Sequence, residues 1–139
     1  MPKVTMSTKV AANADQLWKT IGGFGQIADW HPAIEKSQTD GERKGSVRSL
    51  TLVGGGSLNE KLEEISPSER IYRYSIISGP LPVANYEAVI HVRDNGDGTS
   101  TVEWSSEFDA SGASENDAVA AIQGVYQAGL DNIRKMFGV

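Results

Sequence analysis

Glu60 is the residue whose setting in this chain most suggests chemistry. It stands in Ser57-Leu58-Asn59-Glu60-Lys61-Leu62, where apolar and polar residues alternate. Alternation puts Leu58, Glu60, Leu62 and Glu64 on one face of a strand, and the leucines turn that face inward. An inward carboxylate is costly without a partner, so burial raises its pKa or demands a cation. Such a group can act as a general acid or base, or accept a hydrogen bond from a ligand. The same logic sets Tyr72, Tyr74 and Ile76 against Ile71, Arg73 and Ser75. It sets Tyr86, Ala88, Ile90 and Val92 against Asn85, Glu87, His91 and Arg93, and Val102, Trp104, Ser106 and Phe108 against Glu103, Ser105 and Glu107. Tyr72, Tyr74, Tyr86 and Trp104 are then aromatics with polar handles on one concave surface. A core serving packing alone would use Leu, Ile and Phe, because buried phenols and indoles need partners. Tyr74 or Tyr86 is therefore expected to meet a ligand, and if the protein is an enzyme the candidate catalytic groups are Glu60, Tyr74 and Tyr86.

Other chemistries find little footing. Cysteine is absent, which removes disulfides, thiolate catalysis and cysteine metal sites. His31 and His91 lie far apart in sequence with no acid cluster beside them, so no metal site is expected. His91 falls on the outward face of its strand. His31, beside Trp30 where a second short helix meets the sheet, has the free pKa of a general base but no evident catalytic partner in sequence. Gly23-Phe24-Gly25-Gln26-Ile27-Ala28 spells a dinucleotide fingerprint, but a helical segment stands in front of it where a strand is required. Asp94-Asn95-Gly96-Asp97-Gly98 lacks the ligand spacing of a calcium loop. No nucleophile elbow or P-loop occurs, and no cofactor is expected.

Composition narrows the field further. The 139 residues are 39% apolar, with 13 basic and 18 acidic side chains and a net charge of −5. That length suits one domain, residues 1–139, large enough for a sizeable core and an internal cavity. Without clustered Lys and Arg, nucleic acid is not an expected partner. The opening MPKVTMSTKV lacks the apolar run of a signal peptide, and nothing approaches the ~18 apolar residues of a membrane span. The expectation is a cytoplasmic protein without stable membrane insertion, monomeric or homodimeric.

The elements that must position these residues follow from period and punctuation. Val4, Met6, Thr8 and Val10 mark a first strand; Asn13 caps a short helix through Ile21, and a second short turn runs from Gln26 to Trp30. Strands follow over 34–39, 45–53, 57–65, 70–77, 85–93 and 99–108, the last pair joined by the hairpin signal Asn95-Gly96-Asp97-Gly98. The period then changes. Ser114 caps a helix with Glu115 and Asp117 in its first turn, carrying Ala118, Ile122, Val125, Gly129, Ile133 and Met136 at helical spacing, with Tyr126 and Leu130 alongside. Gly129 inside this helix costs roughly 1 kcal/mol relative to Ala, and either a close-packed aromatic such as Trp104 or room for a ligand explains it. So much apolar helix surface needs a partner, and the economical α+β architecture is a curved, seven-stranded antiparallel sheet gripping one long helix.

This order resembles the Bet v 1-like, or START-like, superfamily with its helix-grip fold, and among its members is most similar to the bacterial polyketide cyclase/dehydrase family. Gly45-Ser46-Val47-Arg48, Asn59-Glu60-Lys61-Leu62, Tyr74-Ser75-Ile76-Ile77-Ser78-Gly79 and Asn85-Tyr86 resemble segments of the plant abscisic-acid receptors of that superfamily. The resemblance implies a cavity between sheet and terminal helix, with Glu60 reaching a ligand through water. Lys36 matches the lysine that pairs with the hormone's acid group, which leaves two readings: a Lys36–Glu60 pair across the cavity, or Lys36 in solvent on a short, splayed strand. At the gate position the chain has Gly54-Gly55-Gly56-Ser57, and at the latch Pro80-Leu81-Pro82, so a hormone-gated phosphatase partner is not implied. These loops, with Trp30 and His31, are expected at a cavity mouth including Gly55, Pro80 and Leu81, with Trp30 there as a plug between the short helix and the sheet. The implied function is holding a small apolar, aromatic, polyketide-like or lipid-like ligand. Lining residues would be Lys36, Leu58, Glu60, Leu62, Tyr72, Tyr74, Ile76, Tyr86, Ala88, Trp104, Ser106, Val125 and Gly129. The alternative is a cofactor-free cyclase, dehydrase or isomerase working through Glu60.

Overall fold

Alternating apolar residues over most of the chain fold into one antiparallel sheet in a computed structural model that describes residues 1–138. The order is β1 (Lys3–Val10), α1 (Ala14–Ile21), a 3-10 helix (Phe24–Asp29), β2 (Ile34–Thr39), β3 (Val47–Leu52), β4 (Ser57–Ser66), β5 (Ile71–Ser78), β6 (Val83–Asp94), β7 (Ser100–Ala110) and α2 (Glu115–Phe137). The seven strands lie in the order β1-β7-β6-β5-β4-β3-β2, so β1 joins the end of the sheet next to β7 while the others pair with chain neighbours. This is the helix-grip arrangement expected from the sequence.

The sheet must bend to enclose a helix, and β-bulges supply the bend by adding a residue to one strand of a pair. One lies between Ile34 and Lys36 on β2, two interrupt the β4–β5 pairing, and one falls between Ala84 and Glu87 on β6, where Asn85 takes the left-handed φ of 54°. On β5, β6 and β7 the inward faces are as alternation predicts: Tyr72 with Tyr74, Tyr86 with Ala88, Ile90 and Val92, and Val102 with Trp104 and Phe108 are all buried. His91 lies on the outer face. The bulge after Leu62 moves Glu64 to the exposed side and turns Ile65 toward Tyr72, correcting the expected inward position of Glu64.

Helix α2 begins where expected. Ser114 accepts a hydrogen bond from the Asp117 amide, Glu115 and Asp117 suit the positive end, and Arg134 and Lys135 suit the negative end. Its buried stripe is Ala118, Ile122, Tyr126, Gly129, Leu130 and Ile133. Tyr126, rather than Val125, occupies the centre of that stripe; Val125 is half-buried and Met136 is exposed. A glycine at 129 brings the helix onto aromatic rings. A Cβ there would stand 2.8 Å from His31 Cδ2, 2.9 Å from Trp104 Cζ3 and 3.0 Å from Trp30 Cζ3. The space left by the missing side chain is filled by rings, so the packing explanation of Gly129 holds and the ligand-volume explanation does not.

Candidate functional site

Glu60 is 3% exposed, and its partner is a residue on the neighbouring strand. Counting outward from the β3–β4 turn places Arg48 directly opposite Glu60. Arg48 Nε donates to Glu60 Oε1 at 2.8 Å, and Nη2 lies 2.7 Å from the same oxygen. Arg48 Nη1 donates to the Phe24 carbonyl at 2.8 Å and to the Tyr72 hydroxyl at 3.3 Å. The guanidinium carbon lies 4.3 Å from the Phe24 ring centroid and 4.8 Å from that of Tyr74, so aromatic faces cover a cation that has no exposure. Burial opposes the charge on Arg48, but the adjacent carboxylate outweighs it and holds the guanidinium protonated. Burial also pushes the Glu60 carboxyl up from its ordinary range, while Arg48 pulls it back.

The Phe24 carbonyl is itself held in place. Both oxygens of Glu42 accept backbone amides at the start of the 3-10 helix, from Phe24 at 2.6 Å and Gly25 at 2.9 Å. Ser37 Oγ donates to the Gly25 carbonyl at 2.5 Å. The same segment ends in Trp30 and His31, 1% and 2% exposed. Asn132 on α2 donates to the Trp30 carbonyl at 2.9 Å. His31 Nε2 donates to the Val125 carbonyl at 2.7 Å, while Nδ1 accepts from the Ala33 amide at 3.2 Å. A carbonyl can only accept and an amide only donates, so these two bonds define a neutral imidazole protonated on Nε2. Burial lowers its pKa, the Val125 bond opposes that, and Arg48 adds to the lowering. Trp30 and His31 are therefore clamps between the 3-10 helix and α2.

A second polar chain crosses the sheet's inner face. Trp104 Nε1 donates to the Tyr74 hydroxyl at 3.0 Å, Tyr74 bonds Tyr86 at 3.3 Å, and Tyr86 bonds Tyr126 on α2. The Trp104 and Tyr126 rings stack with centroids 4.2 Å apart. Burial raises the phenol pKa values of Tyr74 and Tyr86 well above the ordinary value and that of Tyr126 with them, so all three remain protonated at neutral pH.

Between these two networks lies a chamber of about 30 Å³. Its wall is formed by Ile27, His31, Ile34, Leu50, Leu58, Glu60, Tyr74, Ile76, Leu81, Tyr86, Trp104, Ile122 and Val125. Space of that size holds about two water molecules. The structure thus brings together Leu58, Glu60, Tyr74, Ile76, Tyr86, Trp104 and Val125, with His31 and Leu81. Tyr72, Leu62, Ala88 and Ser106 lie buried on the same inner face but away from the chamber. Gly55 and Pro80 are exposed at the turns, where a Cβ on Gly56 would lie 4.0 Å from Pro80 Cγ, so the β3–β4 and β5–β6 turns adjoin. Of the two readings of Lys36, the pair with Glu60 does not form and the solvent position holds: Lys36 is exposed and faces away. Because Glu35 is an extra residue in the β2–β3 pairing, Lys36 pairs with exposed Thr51, and Ser37 takes the inward place opposite Leu50.

Fold and site define a helix-grip domain with a small chamber whose mostly apolar wall carries one carboxylate and two phenols. The chain belongs to the family described as polyketide cyclase / dehydrase and lipid transport, which it matches over residues 1–138. Among solved structures it is similar to the protein XoxI from Bacillus cereus, with 37% identity, a TM-score of 0.92, and coverage of 99% of this chain and 96% of that one. It also shares its fold with the Zhui aromatase/cyclase from Streptomyces sp. R1128, at 18% identity and TM-score 0.76, covering 95% and 90% of the two chains. Norcoclaurine synthase from Thalictrum flavum is similar in fold too, at 24% identity and TM-score 0.70, covering 97% and 92%. No curated protein matches the sequence. Among the described residues, no helix is long and apolar enough to cross a membrane, and no cluster of His, Asp and Glu could hold a metal ion.

Proposed function

We propose that the protein is a small-molecule binding module that holds an apolar, aromatic, polyketide-like or lipid-like ligand between the sheet and α2. The observation that carries this reading is the chamber itself: aliphatic walls with a few convergent polar groups, Glu60, Tyr74 and Tyr86, fit the usual composition of a ligand site. A ligand larger than water enters by displacing the half-buried part of the wall, Ile76 and Leu81, next to the exposed turns at Gly54–Gly56 and Gly79–Pro80. Titration with the neutral dye Nile red is expected to give saturable binding that Val125→Phe weakens by filling the chamber. Equal binding by both proteins would refute the reading.

Cofactor-free cyclisation or isomerisation is the second reading, favoured by protonated phenols at the chamber wall that can donate to a developing enolate oxygen. Glu60 fits it less well as a proton carrier, because two Arg48 nitrogens already engage Oε1. That engagement supports an orienting role.

A further inference from the structure

We infer that the chamber selects uncharged ligands that carry a hydrogen-bond donor such as a hydroxyl, and rejects carboxylates and ammonium ions of the same shape. The inference deepens the binding reading and rests on it. Its basis is the charge inventory around the chamber. No lysine or arginine lines the wall among the described residues, and Glu60 is its one carboxylate. Arg48 stands behind Glu60, outside the chamber wall: Nε donates to Glu60 and Nη1 to the Phe24 carbonyl and the Tyr72 hydroxyl, while Nη2, which has no hydrogen-bond partner among the described residues, lies 2.7 Å from Glu60 Oε1. The guanidinium has no exposed surface and does not reach the chamber wall, so a ligand's acid group meets Glu60 before it meets Arg48. His31 is neutral, with its proton committed to the Val125 carbonyl. Lys36, the cation that could have received an anion, is turned to solvent by the β2 bulge.

Arg48 and Glu60 together sum to zero charge. A ligand of either sign therefore brings an uncompensated ion into a mostly apolar space, which is unfavourable. A neutral hydroxyl adds no such penalty and finds partners. Glu60 Oε2 has no hydrogen-bond partner among the described residues, because both Arg48 contacts fall on Oε1. A hydroxyl donating to that oxygen forms a charge-assisted bond. The Tyr74 and Tyr86 hydroxyls lie on the same wall.

Three matched probes test this on the intact protein: 2-naphthol, 2-naphthoate and 2-naphthylmethylamine, titrated by calorimetry at pH 7. Both ions are expected to bind at least about 100-fold more weakly than 2-naphthol. Glu60→Gln, which leaves the Arg48 charge uncompensated, should tighten naphthoate by about tenfold or more without helping the amine. Naphthoate or the amine binding as tightly as 2-naphthol would overturn the inference while leaving the binding reading in place. If none of the probes binds, the binding reading falls and this inference with it. The wild-type comparison decides the matter even if Glu60→Gln does not fold.

Discussion

Helix α2 contains two glycines in opposite settings, and replacing each by alanine separates packing from propensity. At Gly124 an added Cβ meets nothing within 4 Å, and the position is exposed. Gly124→Ala should therefore gain the full helix-propensity difference, about 1 kcal/mol. At Gly129 the same methyl gains the same propensity but stands 2.8 Å from the His31 ring, 2.9 Å from Trp104 and 3.0 Å from Trp30. None of these atoms is the free end of a flexible chain. Trp104 is bonded to Tyr74, and His31 to Val125 and Ala33. Overpacking of this kind costs typically ~1–3 kcal/mol, and with three rings involved the upper part of that range applies. Gly129→Ala should then be net destabilised by about 1–2 kcal/mol, leaving a gap of ~2–3 kcal/mol between the two variants. Urea unfolding followed by far-UV circular dichroism measures both. A Gly129→Ala protein stabilised as much as Gly124→Ala would show that α2 does not lie on these rings as described, and would remove the roof of the chamber.

Arg48→Leu leaves the Glu60 carboxylate buried without its cation and should cost about 3–5 kcal/mol, while Arg48→Leu/Glu60→Leu should recover at least ~2 kcal/mol of it in urea titrations. The lowered His31 pKa gives a signed pH dependence: the unfolded chain binds a proton near pH ~6.5 that the folded chain refuses, so this contribution is present above that pH and lost as pH falls below it. Stability measured from pH 7.5 down to 5 should decline by up to ~1.4 kcal/mol per unit, and His31→Gln should flatten the slope. Glu60, whose pKa is raised, acts in the opposite sense at lower pH, so the difference between the two proteins carries the test. Glu60→Gln should keep the affinity for a neutral ligand within about tenfold, ~1.4 kcal/mol. Loss of about 10²-fold or more in a cyclase turnover with binding unchanged would instead favour catalysis.

Alternation was a sound guide wherever a strand has one buried face and runs without interruption. Tyr74, Tyr86 and Trp104 could be placed on one wall because β5, β6 and β7 keep their period across the residues concerned. It failed where a bulge adds a residue. No turn residue or proline marks Glu35 as the extra one, so alternation alone leaves Lys36 open between cavity and solvent. Arg48 does carry a signal in the sequence. Leu50 and Leu58 are equally distant from Gly54, and the same count sets Arg48 against Glu60. An arginine in a strand ordinarily marks the wet face, and only its position opposite an inward acid shows otherwise. On α2, a stripe drawn through Val125 sets Tyr126 to one side. Ala118, Ile122, Gly129 and Ile133 are buried as the spacing predicts, and Tyr126 and Leu130 complete the stripe in place of half-buried Val125 and exposed Met136.

The central claim is that a ligand sits between the sheet and α2, and methyl NMR during a titration with 2-naphthol tests it most directly. Leu58, Ile76, Leu81, Ile122 and Val125 line the chamber, whereas Val53 and Ile77 are apolar side chains exposed outside it. The chamber methyls should shift and saturate together at one concentration while those of Val53 and Ile77 stay in place. Shifts confined to Val53 and Ile77, with the chamber methyls unmoved at saturating 2-naphthol, would contradict it.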